Sequence, residues 1–84
     1  MDAEQEQAHL ARAEAEIADA HARIDHQRTI IAHLEALGQS TVTAKSVLQT
    51  MLESLEAMED HRALIKRELE RQRAARASTR FRTT

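Results

Sequence analysis

A repeat of apolar residues at helical spacing runs along most of this chain and is interrupted at its only glycine, Gly38. Before the glycine, large aliphatic residues recur every seven positions. After it, they follow steps of three, four or seven. This period is typical of helices that pack along a narrow seam. The predicted seam residues are Leu10, Ile17, Ile24, Ile31, Leu34, Leu48, Met51, Leu55, Met58, Ile65 and Leu69.

Composition supports an all-α fold of two long antiparallel helices, a helical hairpin or short coiled coil. The chain has 84 residues, no proline and one aromatic residue, so it lacks both the turn formers and the packing groups of a sheet. We expect one hairpin over 1–77, with helix 1 at about 3–37, a turn at 38–41 and helix 2 at about 42–76. The remaining segment, 78–84, is predicted to be a frayed basic tail.

Capping residues indicate where the helices begin and end. Asp2 can cap helix 1, and Gly38 can supply the left-handed residue that terminates it. Thr41 is the favoured cap of helix 2, with Ser40 as the competing choice.

Heptad positions also predict how the two helices align. Size complementarity favours the pairs Ile31 with Met51, Ile24 with Met58, Ile17 with Ile65, and Ala20 with Arg62. Arg62 is then expected to reach Glu16 or Asp19. Gln27 is a second polar residue in the seam, and such residues often fix register or oligomeric state.

The apolar stripe is wider near the turn than a two-helix seam needs. The extra residues are Ile30, Leu37, Val47 and Leu52. A wide apolar face requires a further layer of helices. We therefore expect a homodimer that forms a four-helix bundle through this face, with a helix from another protein as the alternative.

Charge is distributed unevenly along the chain. Residues 1–20 hold six acids and one base, whereas residues 62–84 hold eight bases and two acids. In a hairpin these blocks face each other, so charge matching within the molecule is the simplest interpretation. The arginines nearest the C-terminus remain as contacts for an outside anion such as nucleic acid: Arg73, Arg76, Arg80 and Arg82.

Residues that could carry chemistry are sparse. Cysteine is absent, and one glycine excludes a glycine-rich phosphate loop. Glu6 with His9, and His26 with His33, have spacings seen in metal sites but lack further ligands in the pattern. We expect no cofactor and no catalytic activity.

The chain shows no run of about 20 apolar residues that would span a bilayer. Its first residues are acidic and polar, unlike a secretory signal. We expect a cytoplasmic protein with no membrane contact.

Several short stretches resemble a group of short bacterial helical-hairpin proteins that have no established activity. They are His26-Gln27-Arg28, Leu34-Glu35 before Gly38, Thr41 with Ala44 and Leu48, Met58-Glu59, His61-Arg62 and Glu68-Leu69. The likeness covers roughly residues 10–70. It implies the architecture and a bacterial origin, but no mechanism.

Together these features predict a non-enzymatic, self-associating helical hairpin that acts as an oligomerisation or protein-interaction module. A dimeric nucleic-acid-associated protein that uses the C-terminal arginines is the alternative. A metal-binding helical bundle is the third hypothesis.

Overall fold

The computed structural model describes residues 2–82, and the side chains of residues 2–79. Two helices account for nearly all of it: α1 spans Ala3–Ala36 and α2 spans Val42–Arg82. They pack against each other as an antiparallel hairpin, a rod of 72 × 16 × 15 Å. The predicted all-α hairpin is confirmed. Within the described part of the chain, neither helix has a stretch long and apolar enough to cross a membrane.

The start of α1 is fixed by a reciprocal cap. Asp2 has an extended backbone, and its carboxylate accepts a hydrogen bond from the Gln5 amide at 2.8 Å. The Gln5 side-chain oxygen accepts in return from the Asp2 amide at 3.3 Å. Because Glu4 and Glu6 lie in the first turn, they also stabilise the positive end of the helix dipole.

The turn begins where α1 ends, at its C-cap Leu37. Gly38 follows with φ of 69°, a left-handed conformation in which a side chain would be strained. Its amide donates to the Glu35 carbonyl at 3.0 Å, and the Gln39 amide donates to the Leu34 carbonyl at 2.9 Å. This is the Schellman arrangement. It folds the chain back, so Gln39 lies beside the last turn of α1 before α2 begins.

The start of α2 agrees with Thr41 as the cap position. The Thr41 carbonyl accepts from the Lys45 amide at 2.9 Å, and the Ser40 hydroxyl accepts from the Val42 amide at 3.4 Å.

The other end of α2 runs past the predicted limit near 76 and continues through Arg82. Residues 73–77 are arginine and alanine, which are strong helix formers, and the Thr79 hydroxyl bonds back to the Ala75 carbonyl at 3.0 Å. Most of the predicted frayed tail is therefore helical, and Thr83 and Thr84 lie outside the described residues.

The core is the seam itself. Ile17, Ile24 and Leu55 form its central buried cluster, with Ala20, Leu48, Met51, Leu52 and Met58 packed against it. Ile31 and Ile65 are buried outside that cluster, and Leu10, Leu34 and Leu69 are partly buried. Each predicted seam residue is thus at least partly covered.

The alignment of the helices differs from the predicted register by about one heptad. The predicted pairs place Gln27 level with Leu55, but its amide nitrogen donates to the Ala44 carbonyl at 2.9 Å. Similarly, Ala20 lines a cleft with Met51 rather than lying opposite Arg62. Ile24 is therefore level with Met51 instead of Met58. The backward fold of the turn explains the shift, because α2 begins beside the last turn of α1 instead of beyond it.

Candidate interaction surface

One long side of the hairpin carries a continuous groove between the helices. Three adjoining clefts make it up, the largest about 500 Å³, and Glu16 lines all three. The clefts overlap further at Ala13, Met58 and His61. We call this side the groove side. Its α2 edge extends from Val47 to Leu64, about 26 Å at 1.5 Å per residue.

The floor of the groove is apolar and uneven. Alanines at positions 13 and 20 of α1 lie across from the larger Met51, Met58 and Ile65 of α2. An alanine opposite a long side chain leaves space between the helices, and methionine adapts its shape to what fills that space. The floor can therefore accept side chains from another helix.

The two rims of the groove differ in charge. The α1 rim is formed by Arg12, Glu16, Asp19 and Arg23. The residues that form the α2 rim include no aspartate, glutamate, lysine or arginine. They are Val47, Thr50, Ser54, Ala57, His61 and Leu64. From 47 to 57 this rim consists of short uncharged side chains, which permit a close approach of a second helix.

Two apolar residues of the α2 rim face solvent at opposite ends of the groove. Val47 is 42% exposed and Leu64 is 58% exposed. Val47 belongs to the predicted self-association face, whereas Leu64 was missed because it lies outside the wide stripe near the turn. The signal for Leu64 was its position three heptads after Thr43, in one row with Thr50 and Ala57.

The other predicted self-association residues divide between exposed and covered positions. Ile30 and Leu37 are exposed near the turn, as is Val42, which the pattern did not single out. Leu52 is different: it is partly buried and packs against the central cluster. Leu52 thus contributes to the hairpin's own core, and its part in self-association stays a prediction.

The opposite side of the hairpin is closed near the turn. Lys45 of α2 pairs there with Glu35 of α1 at 3.7 Å, and among the described residues this is the ion pair that joins the two helices. Leu52 lies one heptad beyond Lys45 and covers the seam. No comparable bridge spans the groove between described residues.

The remaining ion pairs of the described residues lie within single helices. Asp19 holds Arg23 at 3.1 Å. The predicted contact of Arg62 with Glu16 or Asp19 is absent from the ion pairs of the described residues. The acidic and basic blocks are thus not matched by direct pairing in the described part of the chain.

The strongest polar contact is near the termini. The Arg71 guanidinium donates two hydrogen bonds to the Glu68 carboxylate, at 2.6 and 2.9 Å. These bonds, with a further one from Gln72, lower the pKa of Glu68 to about 2. The hydrogen bonds to Glu68 and its negative charge raise the pKa of Arg71.

The basic end of α2 extends beyond α1. Asp2 and Ala3 share a cleft with Gln72 and Arg76, so the following residues of α2 have no α1 backbone beside them. Arg73 and Arg76 are exposed just before this overhang begins. Arg80 and Arg82 continue the helix, but their side chains lie outside the described residues.

Two of the histidines, His9 and His61, line one cleft of the groove, and His26 and His33 lie elsewhere. His9 lies 4.0 Å from Glu6, which is buried at 7% exposure in the seam, a heptad before Ala13. His26 and His33 are exposed. Among the described residues, no group of three or more histidine, aspartate or glutamate side chains is arranged to hold a metal ion.

No protein-family model matches this chain, and neither the curated proteins nor the solved structures yield a match. Function is therefore inferred from the chain's own surface.

Proposed function

We propose that this protein is a non-enzymatic helical hairpin that self-associates through its groove side and serves as an oligomerisation or protein-interaction module. The observation that supports it best is the groove: an apolar floor of partly buried methionines, bordered by the exposed Val47 and Leu64. Fully burying a valine or leucine contributes about 1.5–3 kcal/mol. A second copy offers the same apolar residues in return.

The proposed assembly is a homodimer in which two hairpins stack as a four-helix bundle. If the two groove sides stack, the rim residues of each copy would cover the apolar floor of its partner. The opposite side, with its Glu35–Lys45 pair, would stay in solvent. The cytoplasmic location and bacterial origin stay predictions.

A matched pair of valine variants tests the use of the groove. Val47 lines the groove, whereas Val42 is 76% exposed and lines none of its clefts. Val47→Glu places a charge in the dimer contact and should weaken dimerisation at least about tenfold, or 1.4 kcal/mol. Val42→Glu should leave it nearly unchanged. Sedimentation equilibrium measures both, and equal effects would contradict the proposal.

A second candidate function is nucleic-acid association, favoured by the exposed Arg73 and Arg76 close to the overhanging end of α2. A dimer would present two such ends, and phosphate contacts of this kind are sensitive to salt and indifferent to sequence. A gel shift of the double variant Arg73→Gln/Arg76→Gln tests it, with Arg12→Gln/Arg28→Gln as a control of equal charge. No shift at low salt by the unmodified chain would remove this function.

A further inference from the structure

We propose that the second copy lies antiparallel in the groove, with its turn at the opposite end of the rod. This inference rests on the proposed self-association and adds its orientation. Two groove sides can be related by a two-fold axis in two ways. An axis along the rod puts both turns at one end and packs α1 on α2 of the partner. An axis across the rod puts the turns at opposite ends and packs like helices together.

Charges on the α1 rim favour the axis across the rod. Glu16 and Arg23 both line the groove and are separated by one heptad, so they share a face of α1. An axis between Asp19 and Ala20 places Glu16 beside Arg23 of the other copy, and the symmetry repeats that pair. With the axis along the rod, the charged α1 rim would instead face the neutral α2 rim, without opposite charges for its side chains.

Asp19 lies nearest to this axis, where its carboxylate approaches the same group of the other copy. Each Asp19 already holds Arg23 of its own chain at 3.1 Å. Each Arg23 would then bridge Asp19 of its own chain and Glu16 of the other, which offsets the repulsion at the centre.

The α2 rim points to the same axis independently. An axis between Leu55 and Glu56 relates Val47 to Leu64, the two exposed apolar residues of the groove. It also relates Ser54 to Ala57, so short side chains meet at the centre and the helices can approach closely.

The hairpin's own register shows that these two positions coincide. Glu16 and Met58 line the same clefts, and so do Arg23 and Met51. The midpoint of Glu16 and Arg23 therefore lies level with the midpoint of Met51 and Met58, about one residue or 1.5 Å from the axis that Val47 and Leu64 require. One two-fold axis thus satisfies the charges of α1 and the apolar residues of α2 together.

The test of orientation is a distance between two turns. The chain has no cysteine, so Gln39→Cys gives one spin label per copy, outside the groove. Gln39 lies beside the last turn of α1, about 25 Å from the axis, so electron–electron resonance should give about 50 Å between labels. A distance below about 25 Å would show the turns at one end and overturn the orientation.

Charge reversal tests the contact itself. Glu16→Arg and Arg23→Glu should each weaken dimerisation about tenfold, and the double variant should restore most of it. Glu14→Arg, on the opposite side of the same helix, is the control. A dimer with no rescue overturns the orientation and leaves self-association standing. A monomer at all concentrations overturns both proposals.

Discussion

The two long sides of the hairpin share one seam, but flanking side chains cover the seam on one side and leave it open on the other. On the opposite side, Leu52 covers the core and Glu35 pairs with Lys45 across the helices. On the groove side, Val47, Ser54 and Ala57 are short, and the α1 alanines leave the floor open. The length of the flanking side chains therefore decides which side of the seam is left open in this hairpin.

The largest expected effect comes from the core that both sides share. Ile24 is 2% exposed, and Ile24→Ala leaves a cavity that should lower the free energy of unfolding by about 2–5 kcal/mol. Ile30→Ala is the control, since that side chain is 36% exposed and should cost much less. Urea unfolding at a fixed chain concentration measures both. Similar losses would show that Ile24 is not the centre of the seam.

A pair of leucines separates the two sides directly. Leu52→Ala should lower the unfolding free energy of the hairpin by about 1–3 kcal/mol while leaving association intact, because Leu52 packs in the core. Leu64→Ala should do the reverse. It should change the unfolding free energy of the monomer by no more than about 0.5 kcal/mol and should weaken dimerisation. Denaturation of dilute protein and sedimentation give the two quantities. If both variants behave alike, the two sides do not differ.

The smallest effect concerns the end of the groove side, at Glu68. Its pKa falls from 4.5 to about 2 through the hydrogen bonds from Arg71 and Gln72. A lowered folded-state pKa contributes stability that is present above pH 4.5 and is lost as the pH falls towards 2. Glu68→Gln should be slightly less stable at pH 7 and lose less stability on acidification.

Thermal unfolding followed by circular dichroism between pH 7 and pH 2 measures this difference. Glu70→Gln is the control for removing one carboxylate from the same turn. Identical acid dependence of the unmodified chain and Glu68→Gln would show that the pair with Arg71 does not stabilise the helix.

Much of the fold follows from the sequence because each signal is local. The heptads give the members of the seam, Asp2 and Gly38 give the ends of α1, and one glycine gives one turn. Burial of Glu6 also follows, once the heptad is continued back from Ala13.

The alignment of α1 with α2 could not be predicted from local signals in the sequence. A heptad pattern repeats on a shift of seven, so two alignments bury the same residues. The backbone geometry at Gly38 decides between them, through the bond from Gln39 to Leu34 and the contact of Gln27 with Ala44.

The candidate surface was predicted only in part for a related reason. Ile30, Leu37 and Val47 are exposed as expected, but the sequence alone did not distinguish the two flanks of the seam. Leu52 was therefore grouped with the exposed apolar face, and Leu64 was not singled out, whereas the structure packs Leu52 against the core and exposes Leu64. The end of α2 was predicted too early, because Ser78 and Thr79 are weak helix formers. The strongly helical stretch before them lets the helix continue through Arg82.

The most direct test of the groove as an association surface is the mass of the unmodified chain in solution, measured by light scattering across the micromolar range. Self-association through the groove predicts a mass that rises with concentration to twice the 9.5 kDa of one chain. A mass of one chain at every concentration would contradict it.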